Sequence, residues 1–243
     1  MTLPPLDHFQ MDGMHRLIPS LYSEKQTVLA DVADDEEMLD DITLLDGATN
    51  ERIQTENGGK IGISTLELVY GIPNAHIVNA AFSHTTDTGS RFNDHTRGAW
   101  YAADQLDTSL AEVTYHKAKR LADIVVPEQP GARPDKDIST YDDWLADFRS
   151  TFHRIDRSPE YDEFLQPEPV PQCYAAPQSL AQTLISQNSS GLIYPSVRRP
   201  DHTCIVCFRP AMVYNPRRDL RVEVALFATE DGYKVQSRAV QIQ

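Results

Sequence analysis

Three cysteines in 243 residues are too few, and odd in number, for a disulfide scaffold, which fits a reducing cytoplasmic setting. No apolar run approaches the roughly 20 residues that a membrane helix needs, so no membrane association is expected. The opening stretch, MTLPPLDHFQMDGMHR, has no basic head followed by an apolar segment, and no secretory signal is expected there. Basic charge is scarce: 22 Lys and Arg stand against 36 Asp and Glu, a formal net charge of −14. Affinity for a nucleic-acid backbone comes from neutralising its phosphates, so direct nucleic-acid binding is not expected. The acidic surplus confers solubility and would also suit a basic protein partner. Also missing are the G-x-S-x-G elbow, the P-loop and G-x-G-x-x-G, which removes the common hydrolase and nucleotide signatures. Hydrophobic residues still make up 40% of the chain, enough for a substantial core.

The patterning that is present mixes two periods. Residues 14–23, MHRLIPSLYS, read as a first strand that turns at Pro19. In the acidic stretch that follows, Val28, Val32, Met38, Ile42 and Leu45 recur at helical spacing, so one or two amphipathic helices are expected before a turn at Gly58-Gly59. GISTLELVYGIP and AHIVNAAFSH read as strand-rich, although Leu66–Tyr70 fits a helix as well as a strand. Trp100–Ala103 reads as a short strand. Asp107 or Thr108 can cap a helix that runs to about Ala122 and puts Leu110, Val113, Ala118 and Leu121 on one side.

Residues 127–172 are irregular and read as a surface excursion within one domain spanning residues 1–243. A short helix is expected around Asp142–Phe152, because Trp144, Phe148 and Phe152 repeat every four residues. A helix from about Pro177 to Gln187, strands in GLIYPSV and TCIVCFRP, and a hairpin around Glu230-Asp231-Gly232 complete the chain. Helices and strands are interspersed without βαβα alternation, so the expected class is α+β, a mixed sheet with flanking helices.

Residue by residue, bland readings compete with functional ones. Cys204 and Cys207 form a CxxC with no second pair, and strand positions three apart face opposite ways, so no metal site is expected. Glu112 and His116 share a helix face, while Ser109 with Glu112 fits a capping box, which would turn the carboxylate back onto its own helix. Ser196, in YPSVRRP, sits where a strand ends; a serine in a turn and a functional side chain are both open.

Two segments taken together resemble the signature regions of the RES-domain family, named for its arginine, glutamate and serine: SRFNDHTRGAWYAADQLDTSLAEVTYH and SSGLIYPSVRRPDHTCIVCFRP. HRLIPSLYS and ATNERIQTENGG are similar to earlier parts of that family, so the resemblance runs from about residue 14 to about residue 213 and is weak over 127–172. It implies a fold like that of ADP-ribosyltransferases and the role of a toxin in a bacterial toxin–antitoxin pair. The implied reaction destroys NAD by breaking the nicotinamide–ribose bond, through phosphorolysis or hydrolysis; a protein ADP-ribosyltransferase is the alternative within the fold, and a non-enzymatic binding subunit the alternative outside enzymes. NAD is then a substrate, inorganic phosphate a co-substrate, and no prosthetic group or metal is expected. The implied partner is an antitoxin with a helix-turn-helix domain of the Xre type, in a complex compatible with a toxin homodimer. By the same resemblance the family's arginine, tyrosine, glutamate and serine fall on Arg91, Tyr101, Glu112 and Ser196. Glu112, Arg91 and Ser196 are expected to be catalytic and Arg91, Tyr101, Asn93 and Arg198 to bind the dinucleotide, with Arg16 a weaker helper and His116 a supporting residue.

Elementary chemistry agrees with that set. Nicotinamide leaves a cationic ring as a neutral molecule, so no acid has to protonate it, unlike the leaving oxygen of an ordinary glycoside. One carboxylate can hydrogen-bond the ribose and stabilise the positive charge that develops on it, kept ionised if it lies near a helix N-terminus. Arg91 offers a fork for a pyrophosphate or phosphate. Tyr101 offers a flat face, and Ser196 a hydroxyl for a phosphate or ribose.

Overall fold

A computed structural model of the chain describes residues 3–23, 62–124 and 134–241, without the side chain of Thr65. The acidic helices expected within 28–46, the turn at Gly58-Gly59, ATNERIQTENGG and residues 127–133 lie outside the described residues.

In chain order the elements are β1 (Leu6–Pro19), α1 (Ser20–Ser23), α2 (Ala75–Ser83), β2 (Trp100–Ala103), α3 (Leu106–Ala122), β3 (Lys136–Arg154), α4 (Ala175–Ser186), β4 (Gly191–Pro195), β5 (Thr203–Cys207), β6 (Tyr214–Thr229) and β7 (Gly232–Val240). Short 3-10 turns punctuate them at Thr65–Glu67, Pro159–Phe164, Gln172–Tyr174 and Pro210–Met212. The sheet runs β1-β2-β5-β4-β3-β6-β7, and β1 also pairs with β3, which closes five strands into a ring. β3 and β4 are parallel and the other pairings antiparallel, so the sheet is mixed and the class is α+β.

Strand alternation sorts the core into two faces. Trp100 and Ala102 of β2 join Phe9, Met14, Trp144, Phe148, Phe152 and Cys207 under α2. Ala103, with Tyr101 packed alongside, joins Leu192, Tyr194, Cys204 and Val206 under α4. A third cluster (Leu17, Leu110, Leu121, Tyr141, Val222, Val224 and Leu226) seats α3 on β1, β3 and β6. Gly191, at φ +153°, opens β4 against β5; a Cβ there would run into the Val206 carbonyl oxygen, so no other residue fits this approach.

Three expectations need correction. Residues 136–154 are not a surface excursion with a helix; they form β3, the longest strand, paired with β1 on one side and β6 on the other. Trp144, Phe148 and Phe152 are buried as expected, but a spacing of four keeps side chains on one face of a strand as well as of a helix. Long-range pairing decides the conformation, which local pattern does not record. AHIVNAAFSH is not a strand: α2 buries Ile77, Val78, Ala81 and Phe82, a helical repeat. GISTLELVYGIP holds a 3-10 turn and no strand, tied down where Asn79 donates to the Val69 carbonyl (2.8 Å) and accepts from its N–H (3.0 Å).

Candidate active site

One face of α3 holds the helix to the sheet; another carries Glu112, Tyr115, His116 and Lys119, three or four residues apart. Gln105 is the N-cap, without a side-chain capping bond. Asp107 and Thr108 therefore lie inside the helix rather than capping it, and Glu112 lies well past the first turn. The capping box does not form, and Ser109 Oγ instead donates to the His15 carbonyl at 2.8 Å. The helix dipole fades within the first turn, so it does not reach Glu112.

The Glu112 carboxylate turns across to the loop after β4. Ser196 Oγ donates to Glu112 Oε1 at 2.8 Å. That hydroxyl is fully buried and accepts from the N–H groups of Arg198 (3.3 Å) and Arg199 (3.1 Å). With its proton on Glu112 and its oxygen filled, Ser196 is not free to donate to a phosphate or a ribose, as the sequence suggested. Its hydroxyl fixes the orientation of the carboxylate. Arg157 fixes the same turn by donating to the Ser196 carbonyl at 2.7 Å.

One cation stands against this carboxylate, and others hold the neighbouring segment. Arg198 Nε stands 4.0 Å from Glu112 Oε2, and its Cζ lies 3.3 Å from the centre of the Tyr115 ring. Burial pulls the Arg198 pKa down while Glu112 supports its charge. Arg91, only 8% exposed, donates to the carbonyls of Phe164 (3.2 Å) and Gln166 (2.8 Å), and its guanidinium sits 5.2 Å over the Tyr174 ring. Tyr174 OH meets His116 Nε2 at 3.5 Å, one turn beyond Glu112. Arg198 Nη2 donates to the Pro167 carbonyl at 3.2 Å, and Lys119 pairs with Glu168. Segment 164–168 is thus strapped down by Arg91, Arg198 and Lys119.

Burial, reinforced by Arg198 and Arg91, pushes His116 down to about 4, so it is neutral at pH 7. His15 moves the other way, raised mainly by its hydrogen bond to Asp143, at 2.7 Å. The signs for stability are opposite. Between about 4 and the ordinary value of 6.5, the unfolded chain binds a proton at His116 that the folded chain does not, so this residue costs stability as pH falls. The contribution of His15 is complete below its unfolded pKa and is lost as pH rises through the folded one. NMR titration of the histidine ring signals is expected to leave His116 unprotonated at pH 6 and His15 protonated there.

Tyr101 and Asn93 serve mainly to build the loop that carries Arg91. Tyr101 OH donates to Asn93 Oδ1 (2.8 Å) and accepts from the Phe92 N–H (2.9 Å). Asn93 Nδ2 donates to the carbonyls of Asp94 and Arg97. Burial drives the Tyr101 phenol well above its ordinary range, so any stacking role rests on its ring face alone. Arg16 lies 4.9 Å over the Trp100 ring, donates to the Tyr101 carbonyl at 3.3 Å, and is pushed by burial to about 10, still a cation at pH 7. A separate cavity of about 220 Å³, between α4 and residues 93–97, includes none of Arg91, Glu112 and Ser196.

Sequence reasoning missed Tyr115, Tyr174 and Arg157. Tyr115 was findable, three residues beyond Glu112 on its helix face. Tyr174 and the strap lie in a stretch with no readable period. Cys204 and Cys207 belong to opposite core faces and are free thiols. Among the described residues no group of three or more His, Cys, Asp or Glu could hold a metal ion, and no helix is long and apolar enough to cross a membrane.

Residues 68–226 match the RES domain, most of the chain, and the chain belongs to the RES-domain family. The match takes in β3, which the sequence reading left as an excursion, and starts later than residue 14. No curated protein matches the chain. Among solved structures, one chain of the M. tuberculosis MbcT–MbcA toxin–antitoxin complex is similar at 13% identity, over 60% of this chain and 74% of that one, with a TM-score of 0.37.

Proposed function

We propose that the chain is the toxin of a toxin–antitoxin pair and destroys NAD by breaking the bond between nicotinamide and its ribose. The observation that carries this reading is the 2.8 Å hydrogen bond from Ser196 to Glu112. It joins residues from the two segments that resemble the family, and holds one carboxylate, 30% exposed, beside Arg198. A phosphate oxygen, or a water that gives up one proton to solvent, attacks the anomeric carbon as the C–N bond breaks. The bonding electrons pass to the pyridinium nitrogen, which leaves as neutral nicotinamide. Glu112 accepts a hydrogen bond from a ribose hydroxyl and stabilises the positive charge developing at the anomeric carbon. Arg91 and Arg198 hold the pyrophosphate once the strap at 164–168 gives up their donors. The partner is an Xre-type antitoxin that covers this site, and the setting is the cytoplasm.

Purified protein incubated with NAD, with and without inorganic phosphate, and followed by mass spectrometry tests the reaction. ADP-ribose-1″-phosphate formed only with phosphate is the expected product. ADP-ribose in both samples makes water the acceptor. Mass added to a protein acceptor instead assigns ADP-ribosyl transfer, and intact NAD overturns the proposal.

A further inference from the structure

We propose that the Tyr115 ring and the Glu112 carboxylate form a subsite for a planar organic cation, the pyridinium ring of the substrate, and that the Arg198 guanidinium occupies it in this structure. The inference rests on the NAD-cleaving reading and names the groups that would hold the ring to be expelled.

Arg198 presents the same chemistry as a pyridinium: flat, delocalised and positively charged. Its Cζ is 3.3 Å from the centre of the Tyr115 ring, and Nε is 4.0 Å from Glu112 Oε2. That is an aromatic face and an anion arranged around a flat cation. The fit is incomplete, because among the described residues Arg198 Nε is buried without a hydrogen-bond partner, and so is Tyr115 OH. A group built permanently into this position would satisfy its buried donor. The guanidinium's other tether, among the described residues, is a bond from Arg198 Nη2 to the Pro167 carbonyl, at 3.2 Å. His116 packs edge-on against Tyr115, with ring centres 5.2 Å apart, and walls the slot on one side. The arrangement also accounts for product release. Once the C–N electrons reach the ring nitrogen, nicotinamide is neutral, its attraction to both groups falls, and Arg198 regains the position.

The test uses a probe that cannot be cleaved. Binding of 1-methylnicotinamide, a planar cation, and of neutral nicotinamide is measured by calorimetry on the full chain and on variants whose fold is verified by circular dichroism. Arg198→Ala is expected to bind the cation about 10-fold more tightly than the parent, the scale of one cation–aromatic contact, with nicotinamide unchanged. Arg198→Gln, flat but neutral, repeats the gain should the alanine variant misfold. Tyr115→Phe, which keeps the ring face and removes a hydroxyl with no hydrogen-bond partner among the described residues, is expected to bind as the parent does, and Tyr115→Leu to lose the cation. Equal affinity for cation and neutral probe, or no gain on emptying the slot, overturns the subsite and leaves Arg198 a clamp on the strap. These outcomes are independent of turnover: selective cation binding without NAD cleavage sinks the enzymatic reading alone, and cleavage without cation preference sinks the subsite alone.

Discussion

Glu112→Gln is expected to slow nicotinamide release from NAD by about 10²–10³-fold, the usual effect of removing one group that stabilises charge in the transition state. Glutamine keeps the length and shape of the side chain, and its amide oxygen can still accept from Ser196 Oγ, which lies 2.8 Å from the carboxylate. What disappears is the negative charge opposite the developing ribosyl cation. Substrate binding depends on the arginines and changes less, so the loss falls on kcat rather than KM. The residue is part-exposed and caps nothing, so the variant should melt close to the parent. A large fall in melting temperature with unchanged turnover would make Glu112 a structural residue instead.

The second large effect concerns stability. Asp142 on β3 is fully buried and accepts from Arg218 Nη2 at 2.8 Å, Arg221 Nε at 2.7 Å and Ser20 Oγ at 3.4 Å. Asp142→Ala removes a buried carboxylate on which two arginines converge, and is expected to cost about 3–5 kcal/mol in a denaturant titration. Burial alone would push this carboxyl up, but Arg221, Ser23 and Arg218 together hold it below the ordinary carboxylate range. The depressed pKa fixes the sign: the contribution is present above the unfolded value and lost as pH falls toward the folded one. The alanine variant should therefore lose part of the parent's acid sensitivity. A change within the scatter of surface substitutions would contradict this role.

How far the sequence could be read depended on whether a signal was local. β2, α3, α4 and the β6–β7 hairpin were legible because period and turn chemistry agreed with tertiary contacts. β3 was not, because four-residue spacing suits both a helix and a strand and its two partners are remote in sequence. α2 was misread because a short apolar run supports either structure. Within the site, Arg91, Glu112, Ser196 and Arg198 were named from sequence, but not how Ser196 acts: its hydroxyl is saturated by Glu112 and two backbone N–H groups, a geometry no spacing encodes. The competition between capping box and site at Glu112 was resolved by where the helix begins, a single turn earlier than the Ser109 cap required.

The most direct test of Glu112-dependent NAD destruction is the cellular NAD pool after induction of the chain without an antitoxin, compared with Glu112→Gln at equal protein abundance. The expected result is collapse of the pool and arrest of growth with the parent, and neither with the variant. Equal NAD levels in the two cultures would contradict it.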